Sequence, residues 1–137
     1  MIKIFLFLII GIIVYSNDAQ KKVIIFDMLM KNITHKSAPL VYIHDPMKQM
    51  FLSQNSLNIV EKCNESDIVI LTTLNYIPIE CENKIMFGTK YSHLKDNRVI
   101  GSFFWQKGRP NILFYKQRLD AKGIVLSKSF DKYIEKR

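Results

Sequence analysis

The residues best suited to chemistry in this chain are two cysteines, Cys63 and Cys81, and three histidines, His35, His44 and His93. A thiolate beside an imidazole can act as a nucleophile, and Cys63 or Cys81 with His44 is the pair to consider. A cysteine held in a disulfide has no thiolate to offer, so pairing of the two cysteines and catalysis by either exclude each other. A metal site would need further donors at suitable spacing, and the histidines fall into no such pattern. The chain also lacks a phosphate-binding glycine loop, a dinucleotide fingerprint, a Gly-x-Ser-x-Gly elbow and a Cys-x-x-Cys motif. These features point away from an enzyme. No catalytic, cofactor-binding or metal-ligating residue is assigned, and no cofactor is expected.

Whether the cysteines pair depends on the compartment. Residues 1–19 read as a signal peptide: Lys3 gives a basic start, and Ile4 to Tyr15 is apolar apart from Gly11. Val14 and Ser16 satisfy the small-residue rule for cleavage after Ser16, while cleavage after Ala19 would open the mature chain on Gln20-Lys21-Lys22. An uncleaved anchor is the alternative, although the run is shorter than the roughly 20 apolar residues that span a bilayer. Membrane association is expected only in that case. Export places the chain in an oxidising compartment, taken here as the periplasm, where a Cys63–Cys81 disulfide persists. Residues 20–137 are then read as a single α/β domain, a size at which one core buries about two-thirds of the unfolded surface.

The net charge of +8 is unevenly spread, with residues 20–83 at −1 and residues 98–137, ten basic against three acidic, at +7. In the cytoplasm such a cluster would suggest nucleic acid. Export argues against it and favours an acidic surface on an envelope or inner-membrane protein, or an anionic envelope polymer. A solvated basic face is the plainer reading. Trp105, Lys107, Arg109 and Arg118 are the candidate partner-binding residues, because tryptophan and arginine are the side chains that most often carry interface energy. Trp105 reads equally well as core, and Arg109 as support for a turn.

These residues are positioned by a hairpin. Val99 to Gln106 and Asn111 to Tyr115 are β-branched and aromatic runs flanking Lys107-Gly108-Arg109-Pro110. Strict alternation sends Val99, Phe103 and Trp105 one way and Ile100 and Phe104 the other, so both faces need covers. Upstream, Val23, Phe26, Met30 and Ile33 predict one face of a helix over 20–34, with Asp27 and Lys31 as an i,i+4 pair. Pro39 to Ile43 predicts a strand. Asp45 and Pro46 start a short helix with Met47, Met50 and Phe51 on its apolar stripe, ended at Gln54-Asn55-Ser56. Leu57 to Ile59 reads as an edge strand, Asp67 to Thr72 as the buried central strand, and Ile85 to Gly88 as its parallel neighbour. Both cysteines then precede parallel strands and share one edge of the sheet. Tyr91 to Leu94 reads as a helical turn. After the hairpin, Lys116 to Lys122 predicts a helix ended by Gly123. A last helix capped by Ser127 or Ser129 would turn Phe130, Tyr133 and Ile134 onto the sheet, with Lys136 and Arg137 at its C-terminal end. The expected fold is α/β: a mixed sheet of about five strands with parallel central strands, a C-terminal antiparallel hairpin and helices on the faces.

Gly101 with the following aromatics, Gly108, Ile112 and Phe114, Leu119, Gly123-Ile124 and Leu126-Ser127 resemble the C-terminal half of YfiR-like periplasmic proteins. Compatible with it are the first helix, the strand Leu40 to Ile43, and Cys63 shortly before the strand Asp67 to Thr72. The chain departs from that pattern at Tyr115-Lys116, where the family tends to place an asparagine, and in having fewer cysteines than a multi-disulfide member. The resemblance implies a small secreted α/β regulator that restrains a membrane-bound signalling enzyme through its periplasmic part and responds to redox or envelope conditions. The expected function is thus an exported, non-catalytic interaction or regulatory domain working through the basic hairpin and tail. A small periplasmic solute-binding protein, with its ligand at the strand ends near His44-Asp45 and Thr72-Thr73, is the alternative.

Overall fold

Residues 21–34 form helix α1, and Val23, Phe26, Met30 and Ile33, the expected apolar face, are all buried, together with Leu29. Lys31 and Asp27 meet at 3.0 Å on its outer side. The computed structural model describes residues 21–44 and 57–136. The expected leader, the Asp45-Pro46 helix start with Met47, Met50 and Phe51, the break at Gln54-Asn55-Ser56 and the terminal Arg137 lie outside the described residues.

After α1 come β1 (Leu40–His44), β2 (Asn58–Ile59), β3 (Ile68–Leu71), β4 (Ile85–Gly88), β5 (Val99–Gln106), β6 (Arg109–Tyr115), the short helix α2 (Lys116–Ala121) and β7 (Ile134–Glu135). Short 3-10 segments at Cys63–Glu65, Ile79–Cys81, Tyr91–Lys95 and Lys128–Tyr133 supply most of the remaining local order. The strands form one mixed sheet in the order β2-β1-β3-β4-β5-β6-β7. From β2 through β5 all neighbours are parallel; β5 and β6 form the antiparallel hairpin, and β7 runs parallel to β6. The α/β class, the parallel central strands and the C-terminal hairpin are as the sequence led us to expect. The sheet has seven strands rather than about five.

Two differences have clear physical causes. The last segment is not a regular helix but a 3-10 stretch followed by β7. Ser127 makes no side-chain cap; its hydroxyl instead accepts a hydrogen bond from Asn32 Nδ2 at 3.1 Å, and its N–H donates to Asn32 Oδ1 at 3.2 Å. This clasp holds the tail against α1, and β-branched Ile134 pairs with Phe114. The second difference is in β5. Pairing to β4 jumps from Met86↔Val99 to Phe87↔Gly101, so Ile100 is an extra residue and the alternation of the strand shifts there. Ile100 consequently joins Phe103 in the core beneath α1, while Val99 packs on the opposite face.

Each face of the sheet has its own cover. On one, α1 and the tail residues Ile124, Leu126 and Phe130 bury Val41, Ile43, Ile68, Ile70, Phe87, Phe103 and Phe114. On the other, Val69, Leu71, Met86 and Val99 pack with Leu94 and with the Cys63–Cys81 disulfide. The two cysteines sit in the 3-10 segments before β3 and β4, at one edge of the sheet, with Cα atoms 5.5 Å apart. Closing a loop of this length stabilises the fold by about 3 kcal/mol in the chain-entropy model. At that same edge Asp67 accepts hydrogen bonds from Leu40 N–H at 2.8 Å and Lys36 Nζ at 2.6 Å. Burial raises its carboxyl pKa, but these bonds outweigh burial and hold it below the usual value.

Gly101 is where the sheet leaves least room. A Cβ there would stand 2.5 Å from Phe114 Cδ1 and 2.6 Å from the Leu113 carbonyl oxygen. The Phe114 ring lies across the glycine because it is wedged between Phe87 and Phe130, with centroids at 5.7 and 6.4 Å. Gly101→Ala is therefore expected to destabilise the domain by about 2–3 kcal/mol, the upper range for overpacking. Urea unfolding of the two proteins checks this; a midpoint within error of the parent would contradict the packing described.

Candidate functional site

The hairpin closes more tightly than the four-residue stretch suggested. Gln106 pairs with Arg109, leaving only Lys107 and Gly108 in the turn, with φ of 54° and 73°. Positive φ at both central residues is the turn whose twist matches a β-hairpin, and Gly108 meets the requirement without strain. Arg109 and Pro110 belong to β6, and residues 105–110 are all exposed. Alternation sorts their side chains. Trp105 lies opposite Pro110 on the α1 side, and its ring carries Lys22 Nζ at 5.2 Å from the centroid. Gln106, Arg109 and Asn111 share the other side and, with Lys107, line a hollow of about 410 Å³. Trp105, Lys107 and Arg109 thus come together at the tip. Lys22 joins them although it lies far away in sequence; only the docking of α1 against β5 brings it there, with Phe26 against Phe103 at 5.2 Å.

Arg118 does not belong to this patch. It lies at the other end of the hairpin, half-buried, with Nη1 donating to the carbonyls of Asp96 (3.1 Å) and Val99 (2.8 Å) and Nη2 donating to Asn97 Oδ1 (3.2 Å). Its guanidinium stacks 4.5 Å from the Tyr115 ring centre. Among the tail cations, Lys116 is paired with Asp120 at 2.9 Å and Lys132 sits over Tyr133, while Lys122, Lys128 and Lys136 are exposed. Between Asp96 and Asp120 the chain contains no acidic residue.

The C-terminal ends of the parallel strands carry the polar residues of the alternative reading. With β2 and β3 on opposite sides of β1, the ends of β1 and β3 form the topological switch point of the sheet, the usual crevice position in open α/β folds. There the Thr72 hydroxyl donates to the His44 carbonyl, His44 Nε2 donates to the Asn75 carbonyl at 2.7 Å, and the Thr73 hydroxyl accepts the Asn75 N–H at 3.1 Å. One strand over, the Thr89 hydroxyl donates to the Leu71 carbonyl at 2.9 Å. These groups tie the strand ends to one another. His44 and the cysteines, the pair considered for nucleophilic chemistry, stand at opposite ends of the strands, and both cysteines are in the disulfide.

His93, one of the three histidines weighed as metal donors, is buried, which the sequence does not indicate. It packs on Gly88, where a Cβ would be 2.8 Å from its own, and its Nδ1 accepts the Thr89 N–H at 3.1 Å. That bond fixes the neutral ring with its proton on Nε2. Burial, and then the charges of Lys90 and Lys95, push its pKa below 6.5.

No protein-family model matches this chain, and no curated protein matches it either. Among solved structures, a conserved domain protein from Vibrio cholerae O1 biovar El Tor str. N16961 superposes with a TM-score of 0.63 at 11% identity, over 82% of this chain and 58% of that one. At that identity the likeness is one of fold, and this chain spans under two-thirds of the Vibrio protein's length. Fold and surface together define a small α/β domain with a disulfide under one sheet face and an aromatic, basic hairpin tip.

His93 gives this class of domain a measurable pH dependence. In the unfolded chain the imidazole takes up a proton below about pH 6.5, which the buried ring resists. Its contribution is therefore complete above that pH and is lost as pH falls toward the lower folded value, with a slope of at most about 1.4 kcal/mol per pH unit. Thermal midpoints between pH 7.5 and pH 5.5 should drop for the parent and drop less for His93→Gln. Parallel curves for the two proteins would show that His93 is not the group responsible.

Proposed function

We propose that this chain is an exported, non-catalytic interaction domain of the cell envelope, a periplasmic regulator of the kind its YfiR-like sequence features imply, restraining a membrane signalling or envelope protein. The observation that carries this reading is the hairpin tip. Trp105 is 51% exposed on β5 just before a two-residue turn, with Lys22 over its ring and Lys107 and Arg109 at the same tip. A large aromatic ring held in water among cations is the composition of an interface anchor. With no acidic residue between Asp96 and Asp120, the surface it meets is acidic: a carboxylate-rich patch on an envelope or inner-membrane protein, or an anionic envelope polymer.

Two further features support the reading. The Cys63–Cys81 disulfide suits an oxidising compartment, where such bonds persist. Among the described residues no helix is long and apolar enough to cross a membrane, so the domain would meet its partner through its surface. The sequence features shared with YfiR-like proteins also have structural roles here: Gly101 admits the Phe114 ring, and Ser127 clasps Asn32.

Binding of the purified, oxidised chain to envelope membranes tests the proposal by co-sedimentation. Binding is expected at low salt and should weaken markedly by 1 M salt, where the screening length falls to about 3 Å. Lys107→Glu with Arg109→Glu, and separately Trp105→Ala, should each lower the bound fraction about tenfold without moving the thermal midpoint. Equal binding by the parent and both variants, or none by the parent, would count against the tip.

A further inference from the structure

A separate feature lies on the disulfide side of the sheet, at the base of the hairpin. A crevice of about 400 Å³ opens between the turn Tyr91–Lys95 and the junction of β6 with α2, lined by Tyr91, Ser92, Lys95, Asn97, Gln117 and Arg118 over a floor of Leu94 and Tyr115. This volume lies within the range of small-molecule sites. Its charge has one sign: Lys95 and Arg118 are cationic, and no carboxylate lines it. The neighbouring acid, Asp96, is already taken by Arg98, whose Nε and Nη2 reach its two oxygens at 3.1 and 2.8 Å. The Arg98 hydrogen bond is the main reason the Asp96 carboxyl is held below its usual range.

Arg118 is held rigid but not saturated. A guanidinium has five N–H donors. The Asp96 and Val99 carbonyls take both on Nη1 and Asn97 Oδ1 takes one on Nη2. The Nε–H and the second Nη2–H have no protein acceptor among the described residues. All three acceptors are neutral oxygens, and the Asp96 carboxylate, which also feels the Arg118 charge, spends its hydrogen bonds on Arg98; the guanidinium is thus fixed in orientation with two donors to spare, which is the fork that a carboxylate or phosphate accepts. Beside it the Tyr91 ring, 56% exposed, is braced edge-on by Phe104 with centroids 5.4 Å apart. It offers a fixed wall for a flat group.

We propose that this crevice binds a small aromatic anion, its carboxylate or phosphate on Arg118 and Lys95 and its ring against Tyr91. The proposal is independent of the envelope reading, which rests on the tip.

The test is an NMR titration of the full oxidised chain with phenyl phosphate, benzoate and inorganic phosphate. Phenyl phosphate or benzoate should shift the amides of residues 91–97 and 115–118 saturably, and the tighter of the two identifies the anionic group. Inorganic phosphate, lacking the ring, should bind at least about tenfold more weakly. Lys95→Glu changes an exposed side chain and should weaken aromatic-anion binding about tenfold with no change in thermal midpoint. Tyr91→Ala should weaken the aromatic probes while sparing inorganic phosphate. The absence of saturable shifts at about 10 mM ligand, shifts centred on residues 105–110, or equal affinity for ringed and ringless anions would overturn the proposal. Those outcomes would leave co-sedimentation through the tip unaffected.

Discussion

Much of the structure depends on one contact, the Phe114 ring lying over the bare backbone of Gly101. It begins a run of phenylalanines from the tail to the first helix: Phe130 on Phe114, Phe114 on Phe87, Phe87 and Phe103 on Phe26. Each element that covers the α1 side of the sheet is anchored by one of these rings. The clasp of Asn32 on Ser127, with His35 Nε2 donating to the Val125 carbonyl at 2.6 Å, locks the two covering elements to each other. Helix α1, of which fourteen residues are described, and an irregular tail thereby cover this face as one piece.

The opposite face is built differently. It has short 3-10 segments and loops in place of a long helix among the described residues, and the Cys63–Cys81 disulfide supplies part of the order that such segments lack. This is a common resort of small exported domains whose cores are limited by size. The last two residues of β5 and the first two of β6 are exposed, Trp105 among them, and Lys22 of α1 lies over its ring.

Much of this architecture was legible in the residues. The apolar face of α1, the buried β3, the parallel β4, the turn after it and the hairpin all follow from periodicity, because each is decided by local burial. The cysteine pairing was expected for an oxidising compartment and supported by topology, since both residues precede parallel strands. What was not legible depends on distant partners. The Ile100 bulge arises from the register between β4 and β5, which no single strand reveals. The expected last helix is a 3-10 stretch that passes into β7, and Ser127 before it is engaged by Asn32, far away in the chain. At the site, Trp105, Lys107 and Arg109 lie at or beside one turn and were readable together, whereas Arg118 was grouped with them by its residue type and the basic tail and is committed to the backbone of residues 96–99. Lys22, Tyr91 and His93 gained their roles only from folding.

We propose the hairpin tip, carried by a core covered on both faces, as the surface that meets an envelope partner. Its most direct test is site-specific photo-crosslinking in intact cells, with a photoreactive residue at position 105 compared with one at position 121 on α2. The account predicts a discrete adduct with an envelope protein or polymer from position 105 and none from position 121. Adducts from both positions alike, or from neither, would contradict it.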